Sequence, residues 1–315
     1  MRLLVAIPCL NEAATIAAVI SRIPNSIPGI SSISVLVVDD GSTDETAAIA
    51  EVSSAVVVRH YTNRGVGAAF HSAVSFALEQ DFDIMVNIDG DGQFNPADIA
   101  QLIQPILMKQ ADMVTASRFI DPKLTPDMPP VKLLGNRMMS FLISGLCGHR
   151  FADVSCGFRA YSREALLQIN LHGLFTYTQE TFLDLVSKKL RIIEIPIKVT
   201  YFKDRQSRVA RSILKYGLNT TAIILRIYRD YFPLRFFMAI AGAFFTGAAG
   251  FGLVFLVNYL QTGVFSGYLY AGFLAGFFFV VSLLFAVVAI VVDMLDRIRV
   301  NQERILYMLK RRMRP

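Results

Sequence analysis

The sequence predicts an α/β domain with a mostly parallel sheet, followed by a hairpin of two transmembrane helices. Over residues 2–116, short runs of aliphatic and β-branched residues alternate with segments of helical pattern, which is typical of a parallel sheet. Four of the apolar runs end abruptly in polar loops. Residues 236–292 contain no Asp, Glu, Lys or Arg, a composition that indicates membrane-spanning helices.

The elements of the soluble part are predicted in strand–helix order. Strands are expected at 2–7, 33–38, 55–59, 84–88 and near 112–116. Helices are expected from Glu12 to Ile23, from a Thr43 cap to Glu51, after Asn63–Gly65 as far as Gln80, and from Pro96. The strands are apolar along nearly their whole length, which favours a sheet covered on both faces. The loops that follow such strands meet at one edge of the sheet. Four loops are therefore predicted to lie together: 8–12, 39–42, 63–67 and 89–93.

The segment 84–93, IMVNIDGDGQ, gives the strongest indication of chemistry. It is a predicted strand that ends at two carboxylates, Asp89 and Asp91, each followed by a glycine. On a continuing strand the two carboxylates would point to opposite faces, but the glycines permit a turn that brings them together. Two carboxylates with substrate phosphates are the usual way in which proteins hold Mg²⁺. A plain hairpin tip is the alternative. An EF-hand is excluded because Phe94 and Ala100 stand where Gly and Glu are required.

Two other nucleotide-binding motifs are excluded. The chain has no G-x-x-x-x-G-K-[ST] sequence, and Gly65-x-Gly67-x-x-Phe70 lacks the third glycine of a dinucleotide fingerprint. This segment is interpreted as a tight strand-to-helix turn whose backbone amides face a ligand.

The uncharged C-terminal region divides into two apolar segments, 236–260 and 268–292, of 25 residues each. A helix of that length spans roughly 37 Å, enough to cross a bilayer with some tilt. One buried hairpin in a soluble core is the alternative.

Basic residues flank the two apolar segments. Residues 1–197 carry a net charge of −5, residues 198–235 carry +7 and residues 293–315 carry +4. This placement fits anionic lipid headgroups rather than nucleic acid. It also predicts that the soluble domain, 1–210, and both termini face the cytoplasm at an inner membrane. The region 211–235 is predicted to contain an interfacial amphipathic helix at 212–231, with a core helix as the alternative. The region 293–315 is predicted to form a basic tail helix.

Eight motifs resemble those of one known family. They are IPCLNEAATI (7–16), VVDDGSTDET (37–46), NRGVGAA (63–69), DGDGQ (89–93), SRF (117–119), GNR (135–137), DVSCGFRAY (153–161) and YFKDRQSR (201–208). In this order they resemble the GT-A-fold family 2 glycosyltransferases. The later motifs resemble the polyprenyl-phosphate branch, which includes dolichol-phosphate mannose synthase and the bactoprenol glucosyltransferases. The sequence departs from many relatives at RQSRVARS, which lacks the Gly and Lys of R-x-x-G-x-S-K.

The resemblance implies a set of site residues. Contacts to the nucleotide donor are implied for Pro8, Leu10, Asn11, Glu12, Asp39, Asp40, Gly67, Asp89 and Gln93. A divalent-metal and diphosphate site, with Mg²⁺ or Mn²⁺, is implied for Asp89, Asp91 and Gln93. The acceptor phosphate is assigned to Ser117, Arg118, Asn136, Arg137 and Arg205. Asp89, Asp91 and Asp153 are the predicted catalytic residues.

Two acidic residues keep more than one interpretation. Asp153 orients the acceptor or the sugar, acts as a base, or is a structural carboxylate paired with Arg159. Glu180 touches sugar hydroxyls or is an ordinary charge at a helix start.

The implied reaction is inverting transfer of one sugar to a polyprenyl phosphate. UDP-glucose is the expected donor, and GDP-mannose is the alternative. Expected partners are the nucleotide sugar, the polyprenyl phosphate and anionic membrane lipids; nucleic acid is not expected, and a homo-oligomer is left open. A non-catalytic anchor that binds sugar nucleotides is a further alternative. A processive polysaccharide synthase is disfavoured because the chain has no Trp for a Q-x-x-R-W motif.

Overall fold

The computed structural model describes residues 1–171, 177–200, 225–226 and 228–312. The chain divides into two compact units. The first contains the sheet, its helices and the last turns of the final helix from Leu306 onward. The second contains the helical region up to Ile305.

The first unit is built on a seven-stranded sheet of order β3-β2-β1-β4-β6-β5-β7. Its strands are β1 (Arg2–Cys9), β2 (Ser32–Asp39), β3 (Val56–Arg59), β4 (Ile84–Asn87), β5 (Met113–Ser117), β6 (Arg159–Ser162) and β7 (Ile192–Pro196). Strand β6 runs antiparallel to β4 and β5, and every other pairing is parallel. The predicted mostly parallel sheet is confirmed, with one reversed strand in its middle.

Helices cover both faces of this sheet. They are α1 (Ile16–Ser21), α2 (Thr46–Val52), α3 (Val66–Glu79), α4 (Ile99–Leu107), α5 (Pro130–Cys147), α6 (Arg163–Gln168) and α7 (Tyr177–Ser187). Residues of α1 and α4 share one apolar core with alternate residues of the strands, such as Val5 and Val86. On the other face, Phe70 of α3 stacks 4.9 Å from Tyr177 and lies 5.5 Å from Tyr161 of β6.

Two helices begin later than predicted. Helix α1 begins at Ile16 rather than Glu12, and α2 begins at Thr46 rather than after a Thr43 cap. The backbone N–H of Thr43 donates to Asn11 Oδ1 at 2.9 Å, so Thr43 joins two loops instead of capping a helix. Asp44 accepts the N–H of Thr46 at 3.1 Å and thus serves the start of α2.

The second unit is a helical hairpin. It consists of α8 (Pro233–Thr262) and most of α9 (Leu269–Arg312). Both are candidate membrane spans by length and composition, with mean hydropathies of 2.0 and 2.9. Only 11 % and 6 % of their most apolar windows are buried, whereas a core helix of a soluble protein would be mostly buried. The two predicted apolar helices are therefore present, and α9 continues without a break through the predicted tail helix as far as Arg312.

Small residues pack the two helices of the hairpin together. A Cβ at Gly272 of α9 would lie 3.3 Å from the ring of Phe255. Ser282 Oγ donates to the carbonyl oxygen of Ala241 at 2.9 Å. Close approach through small residues and a hydroxyl bond is typical of helix pairs in lipid.

The end of α9 is seated on the first unit. Tyr307 Oη donates to Glu164 Oε1 at 3.1 Å, and Lys310 Nζ donates to the carbonyl oxygen of Ile169 at 3.0 Å and to Asn170 Oδ1 at 3.1 Å. Ile169 is the C-cap of α6, where a cation is favoured by the helix dipole. The predicted interfacial helix at 212–231 lies largely outside the described residues and remains a prediction.

Candidate active site

The four polar loops meet at the carboxyl ends of β1, β2, β3 and β4, as predicted. Loop 8–12 is joined to loop 39–42 by the N–H of Asn11, which donates to Ser42 Oγ at 2.9 Å. It is joined to loop 89–93 through Thr15, whose hydroxyl donates to the carbonyl oxygen of Gly90 at 2.7 Å. Loops 39–42 and 63–67 are joined through Asp40. The ladder of parallel strands places these loops side by side.

Gly41 permits the closest approach between two of these loops. Its φ is +79°, and a Cβ there would lie 2.7 Å from the backbone nitrogen of Asn63. A side chain would therefore collide with backbone that cannot move aside, in a conformation that only glycine adopts readily. The edge of the site between β2 and β3 depends on this contact.

Asp40 holds the loop after β3. The N–H groups of Arg64 and Gly65 donate to its two carboxylate oxygens at 3.0 and 2.7 Å. His60 Nδ1 lies 2.7 Å from Asp40 Oδ1, and His60 Nε2 lies 2.9 Å from Ser72 Oγ. Both Asp40 oxygens are thus engaged within the protein, whereas the resemblance assigned this residue to the donor nucleotide. Asp39, which is also buried, accepts the N–H of Ser42 at 3.0 Å.

The acidic turn after β4 packs against the segment that leads into β6. Asp89 lies beside Gly157, where a Cβ would be 3.1 Å from Oδ1 of Asp89 and 3.2 Å from Oδ2. Asp91 Oδ1 accepts the N–H of Gln93 at 3.0 Å, and the carbonyl oxygen of Gln93 accepts the N–H of Thr200. This arrangement is a turn at the sheet edge and not a hairpin tip, because the chain continues into α4 on the same side as α1.

The charge around Asp89 is unfavourable to its ionised form. Burial, together with the negative charges of Asp91 and Glu12 and against the opposing charges of Arg118 and Arg159, raises the pKa of the Asp89 carboxyl to about 7. Neighbouring carboxylates of this kind repel each other, and a bound cation would relieve that repulsion. Within the described part of the chain no group of three or more His, Cys, Asp or Glu residues is arranged to hold a metal. The residues fit a Mg²⁺ or Mn²⁺ ion held by Asp89 and Asp91 and completed by substrate phosphate oxygens.

A buried ion pair lies at the end of β5. Asp153 is fully buried and binds the side chain of Arg118 through two bonds, Nε–Oδ2 at 2.6 Å and Nη2–Oδ1 at 2.8 Å. The alternative in which Asp153 pairs with Arg159 is wrong, because Asp153 pairs with Arg118 and β6 carries Arg159 into the interior of the sheet; a catalytic role for Asp153 stays a prediction. The backbone N–H of Asp153 donates to Glu194 Oε1 at 2.8 Å, and that of Ala152 to Glu194 Oε2 at 2.8 Å.

The remaining predicted acceptor residues lie on β5 and α5. Ser117 and Asn136 are buried, and Asn136 Nδ2 lies 3.9 Å from Met128 Sδ. Arg137 is exposed and lines a pocket of about 460 Å³ together with Phe141, His149 and Ala152. Because Ala152 adjoins Asp153, this pocket begins next to the buried ion pair. Arg205 lies outside the described residues.

Several contributors to the site were missed from the sequence. Glu194 orients the Asp153 turn, and Tyr177 lies at the start of α7, where burial and then the charge of Asp89 raise the pKa of its phenol. Glu180, by contrast, was a sequence candidate for a sugar contact; it lies buried in the first turn of α7, and its role stays a prediction. No sequence signal identified Glu194, since it is one glutamate in a short strand, IIEIP.

The fold and family follow from comparison with known proteins. The model of the family described as Glycosyl transferase family 2 matches residues 4–169, which is more than half of the chain. The chain belongs to glycosyl transferase family 2. The prediction that this protein is a glycosyltransferase is therefore confirmed.

Relatives with assigned names include three transferases that act on polyprenyl phosphates or polyprenols. A UDP-N-acetylglucosamine–dolichyl-phosphate N-acetylglucosaminyltransferase of Methanococcus voltae is 31 % identical over 241 residues, 70 % of this chain and 94 % of that protein. A polyprenol monophosphomannose synthase of Mycolicibacterium smegmatis is 29 % identical over 63 % of this chain and 77 % of that protein. An undecaprenyl-phosphate mannosyltransferase of Micrococcus luteus is 27 % identical over 68 % and 90 %. The resemblance to the polyprenyl-phosphate branch is confirmed.

A solved structure shares the fold of this glycosyltransferase. Glucosyl-3-phosphoglycerate synthase from Mycobacterium tuberculosis, in complex with UDP, superposes with a TM-score of 0.56 at 22 % identity, covering 71 % of this chain and 79 % of that one. The same protein was also solved with Mn²⁺, UDP and glucosyl-3-phosphoglycerate, with a TM-score of 0.52. The predicted GT-A domain is confirmed.

Proposed function

We propose that this glycosyltransferase moves one sugar, with inversion, from a nucleoside diphosphate sugar to a polyprenyl phosphate at the membrane surface. The observation that carries the proposal is the pairing of two features at one sheet edge: the acidic Asp89–Asp91 turn and the buried Arg118–Asp153 pair. The first suits a metal-bound diphosphate, and the second suits a phosphate nucleophile. The names of the relatives support a polyprenyl phosphate as the acceptor.

Asp89 and Asp91 would hold the Mg²⁺ or Mn²⁺ ion, with Gln93 beside them. When bound, the ion neutralises negative charge on the leaving diphosphate, which is a Lewis-acid contribution. The turn that carries these residues is fixed by Thr15 on one side and by Gly157 on the other. The donor is thus oriented by rigid elements rather than by mobile side chains.

The acceptor needs binding more than activation. A phosphate monoester has a second pKa near 6 and is mostly dianionic at neutral pH, so it is already a nucleophile and needs no general base. We assign Arg118 and Arg137 to its oxygens, since a guanidinium fork matches phosphate geometry. Asp153 then acts by orienting Arg118, because both of its oxygens are occupied by that side chain.

A membrane-bound acceptor is supported by the exposed face of α5. This face is apolar, with Leu134 61 %, Met138 51 % and Phe141 78 % exposed. Residues 128–152 contain no Asp or Glu but do contain Lys132, Arg137 and Arg150. An apolar stripe with basic neighbours suits a helix lying against an anionic lipid surface.

The topology follows from how the chain is connected. The chain leaves the first unit before α8, and the last turns of α9 belong to that unit again. Two crossings between these points return the chain to the side from which it started. With the basic flanks, this supports a cytoplasmic catalytic domain and cytoplasmic termini.

The expected donor is UDP-glucose. GDP-mannose is the alternative, and it is favoured by the two mannose-transferring relatives.

To test the proposal, purified full-length protein is incubated with Mn²⁺ or Mg²⁺, undecaprenyl phosphate and a panel of sugar nucleotides that includes UDP-N-acetylglucosamine. We expect one glycolipid product that depends on metal and disappears in Asp91→Asn. The exposed Asp127 gives a matched control, Asp127→Asn, which retains activity. The absence of a glycolipid from every donor would contradict the proposal.

A further inference from the structure

Arg159 is a buried cation that the proposed reaction does not use. Its side chain is fully buried and is one of the largest fully buried side chains in the protein. Nη1 donates to the carbonyl oxygen of Thr178 at 2.8 Å, and Nη2 donates to that of Val154 at 3.0 Å. The guanidinium carbon lies 4.8 Å from the centre of the Phe182 ring. Its partners are therefore two carbonyl oxygens and an aromatic ring.

Among the described residues no carboxylate forms an ion pair with Arg159, and its Nε has no hydrogen-bond partner there. Taking a guanidinium out of water without a directly bonded carboxylate is costly, although the charge of Asp89 acts on it. A leucine or methionine at this position would fill the interior without that desolvation cost. What arginine adds is its two hydrogen bonds to separate segments of the chain, and these offset the cost of burying its charge.

The sheet register places Arg159 directly behind the candidate site. It pairs with Asn87 of β4 and with Thr115 of β5, both fully buried. Gly157, two residues earlier, lies on the same face and packs against Asp89. Arg159 is thus two residues along the chain from Gly157, the residue that packs against the Asp89–Asp91 turn.

The two carbonyl groups belong to two different segments beside the candidate site. Val154 follows Asp153, which orients Arg118. Thr178 lies in the first turn of α7, next to Tyr177. The donor side has a separate support, since Asn87 Nδ2 donates to the carbonyl oxygen of Gly157 at 3.1 Å and so holds Gly157 against Asp89.

We infer that Arg159 is a positioning residue that fixes the Asp153 turn and the start of α7 to the sheet, and so sets the geometry of the acceptor phosphate site. The inference rests on the proposed function for its kinetic consequence. The planar guanidinium provides two divergent donors at fixed angles, which the single ammonium of lysine does not reproduce. A small displacement of a phosphate-binding arginine is enough to lower the rate by one to two orders of magnitude.

Arg159→Lys and Arg159→Met test this, with Arg163→Lys as the matched control. Arg163 is the first residue of α6, directly after β6, pairs with Asp81 at 2.9 Å and donates to the carbonyl oxygen of Phe82. For Arg159→Lys we expect kcat/KM for undecaprenyl phosphate to fall by roughly tenfold or more. The Kd for UDP with Mn²⁺, measured by calorimetry without acceptor, stays within about twofold of the original. Arg163→Lys leaves both unchanged.

Hydrogen exchange gives a readout that does not depend on catalysis. In Arg159→Lys the amides of residues 152–156 and 178–181 are expected to lose protection, while those of β1 and β2 keep it. Unchanged protection in these segments would overturn the inference, as would an equal loss of UDP and acceptor binding. If Arg159→Met does not fold, Arg159→Lys alone decides. If the unmodified protein makes no glycolipid, the proposed function fails, and the exchange experiment still decides the role of Arg159.

Discussion

At the scale of single residues, the site is built at the expense of stability. Asp89 is held beside Asp91 and Glu12 in a setting that raises its pKa to about 7 from an ordinary value of 3.8. The unfolded chain releases this proton at lower pH than the folded chain. The free energy of unfolding therefore decreases as pH rises from about 4 to about 7, and the loss is complete above that range.

Asp89→Asn should remove this pH dependence. We expect the metal-free variant to be more stable than the original protein at pH 8, by on the order of 2 kcal/mol after allowance for partial exposure, and to be inactive. Chemical unfolding of the catalytic unit in detergent at pH 5 and pH 8 measures the difference. Asp127→Asn is the control and should keep the original dependence. A variant with the same slope as the original would show that Asp89 is ionised without penalty.

The Arg118–Asp153 pair gives a second residue-scale prediction. Asp153→Asn removes the carboxylate that holds the buried Arg118 side chain through two bonds, which costs about 3–5 kcal/mol. We expect a lower midpoint of unfolding and a raised KM for undecaprenyl phosphate. Arg118→Met combined with Asp153→Asn should be more stable than the sum of the two single changes predicts, because the two side chains contact each other directly. Strict additivity would contradict a direct energetic coupling between the two side chains.

At the scale of elements, α5 has two different faces. Asn136, Met139, Ser140 and Ile143 are buried, while the exposed face is apolar. Helices of soluble domains normally present polar residues to water, and a contiguous apolar face marks an interaction surface. The basic residues beside it fit lipid headgroups.

Phe141→Asp should therefore weaken the reaction only where a lipid surface is present. We expect an activity loss of about tenfold or more in vesicles that contain anionic lipid and undecaprenyl phosphate, since a charge at the interface opposes docking. In detergent with a short-chain polyprenyl phosphate the loss should be small. Val52, 88 % exposed on α2, gives the control Val52→Asp, which should behave alike in both assays. Equal losses in both assays would place Phe141 in the catalytic chemistry.

Most of the helices and strands could be predicted from the sequence, and there are physical reasons why the others could not. Strand ends were placed within about two residues because apolar runs end where the chain meets water. Strands β6 and β7 were not predicted, since each is only four or five residues long, and nothing in the sequence of β6 indicates that it runs antiparallel to its neighbours. The partner of Asp153 was wrong for a related reason: Arg159 is near in sequence, but β6 carries it away, and Arg118 arrives from β5. Glu194 follows no motif and became visible only through its two backbone bonds.

At the scale of the whole molecule, the chain returns to its catalytic unit after the hairpin. Tyr307 donates its one hydroxyl proton to the carboxylate of Glu164, and Lys310 makes two hydrogen bonds to Ile169 and Asn170. Net contributions of about 0.5–1.5 kcal/mol for each such bond are enough to keep the last turns of α9 in place. The segment they contact leads into α7, which forms one wall of the candidate site.

Tyr307→Phe combined with Lys310→Gln should release the end of α9. We expect faster cleavage by a low concentration of trypsin after Arg304, by roughly tenfold, because the seated state protects the backbone. Met308, which is 60 % exposed on the same turns, gives the control Met308→Ala. Equal cleavage rates in the two variants would mean that the polar contacts do not hold the helix end.

The contact between the end of α9 and α6 also has a consequence for biosynthesis. All seven strands are complete at Pro196, before either hydrophobic helix has been translated. The sheet is thus free to fold while the nascent chain still tethers it to the ribosome. Its α6 surface is contacted by residues that follow both hydrophobic helices in the chain, so this contact forms only after the hairpin has been synthesised. Docking of the helix end is therefore a late step in the assembly of the enzyme.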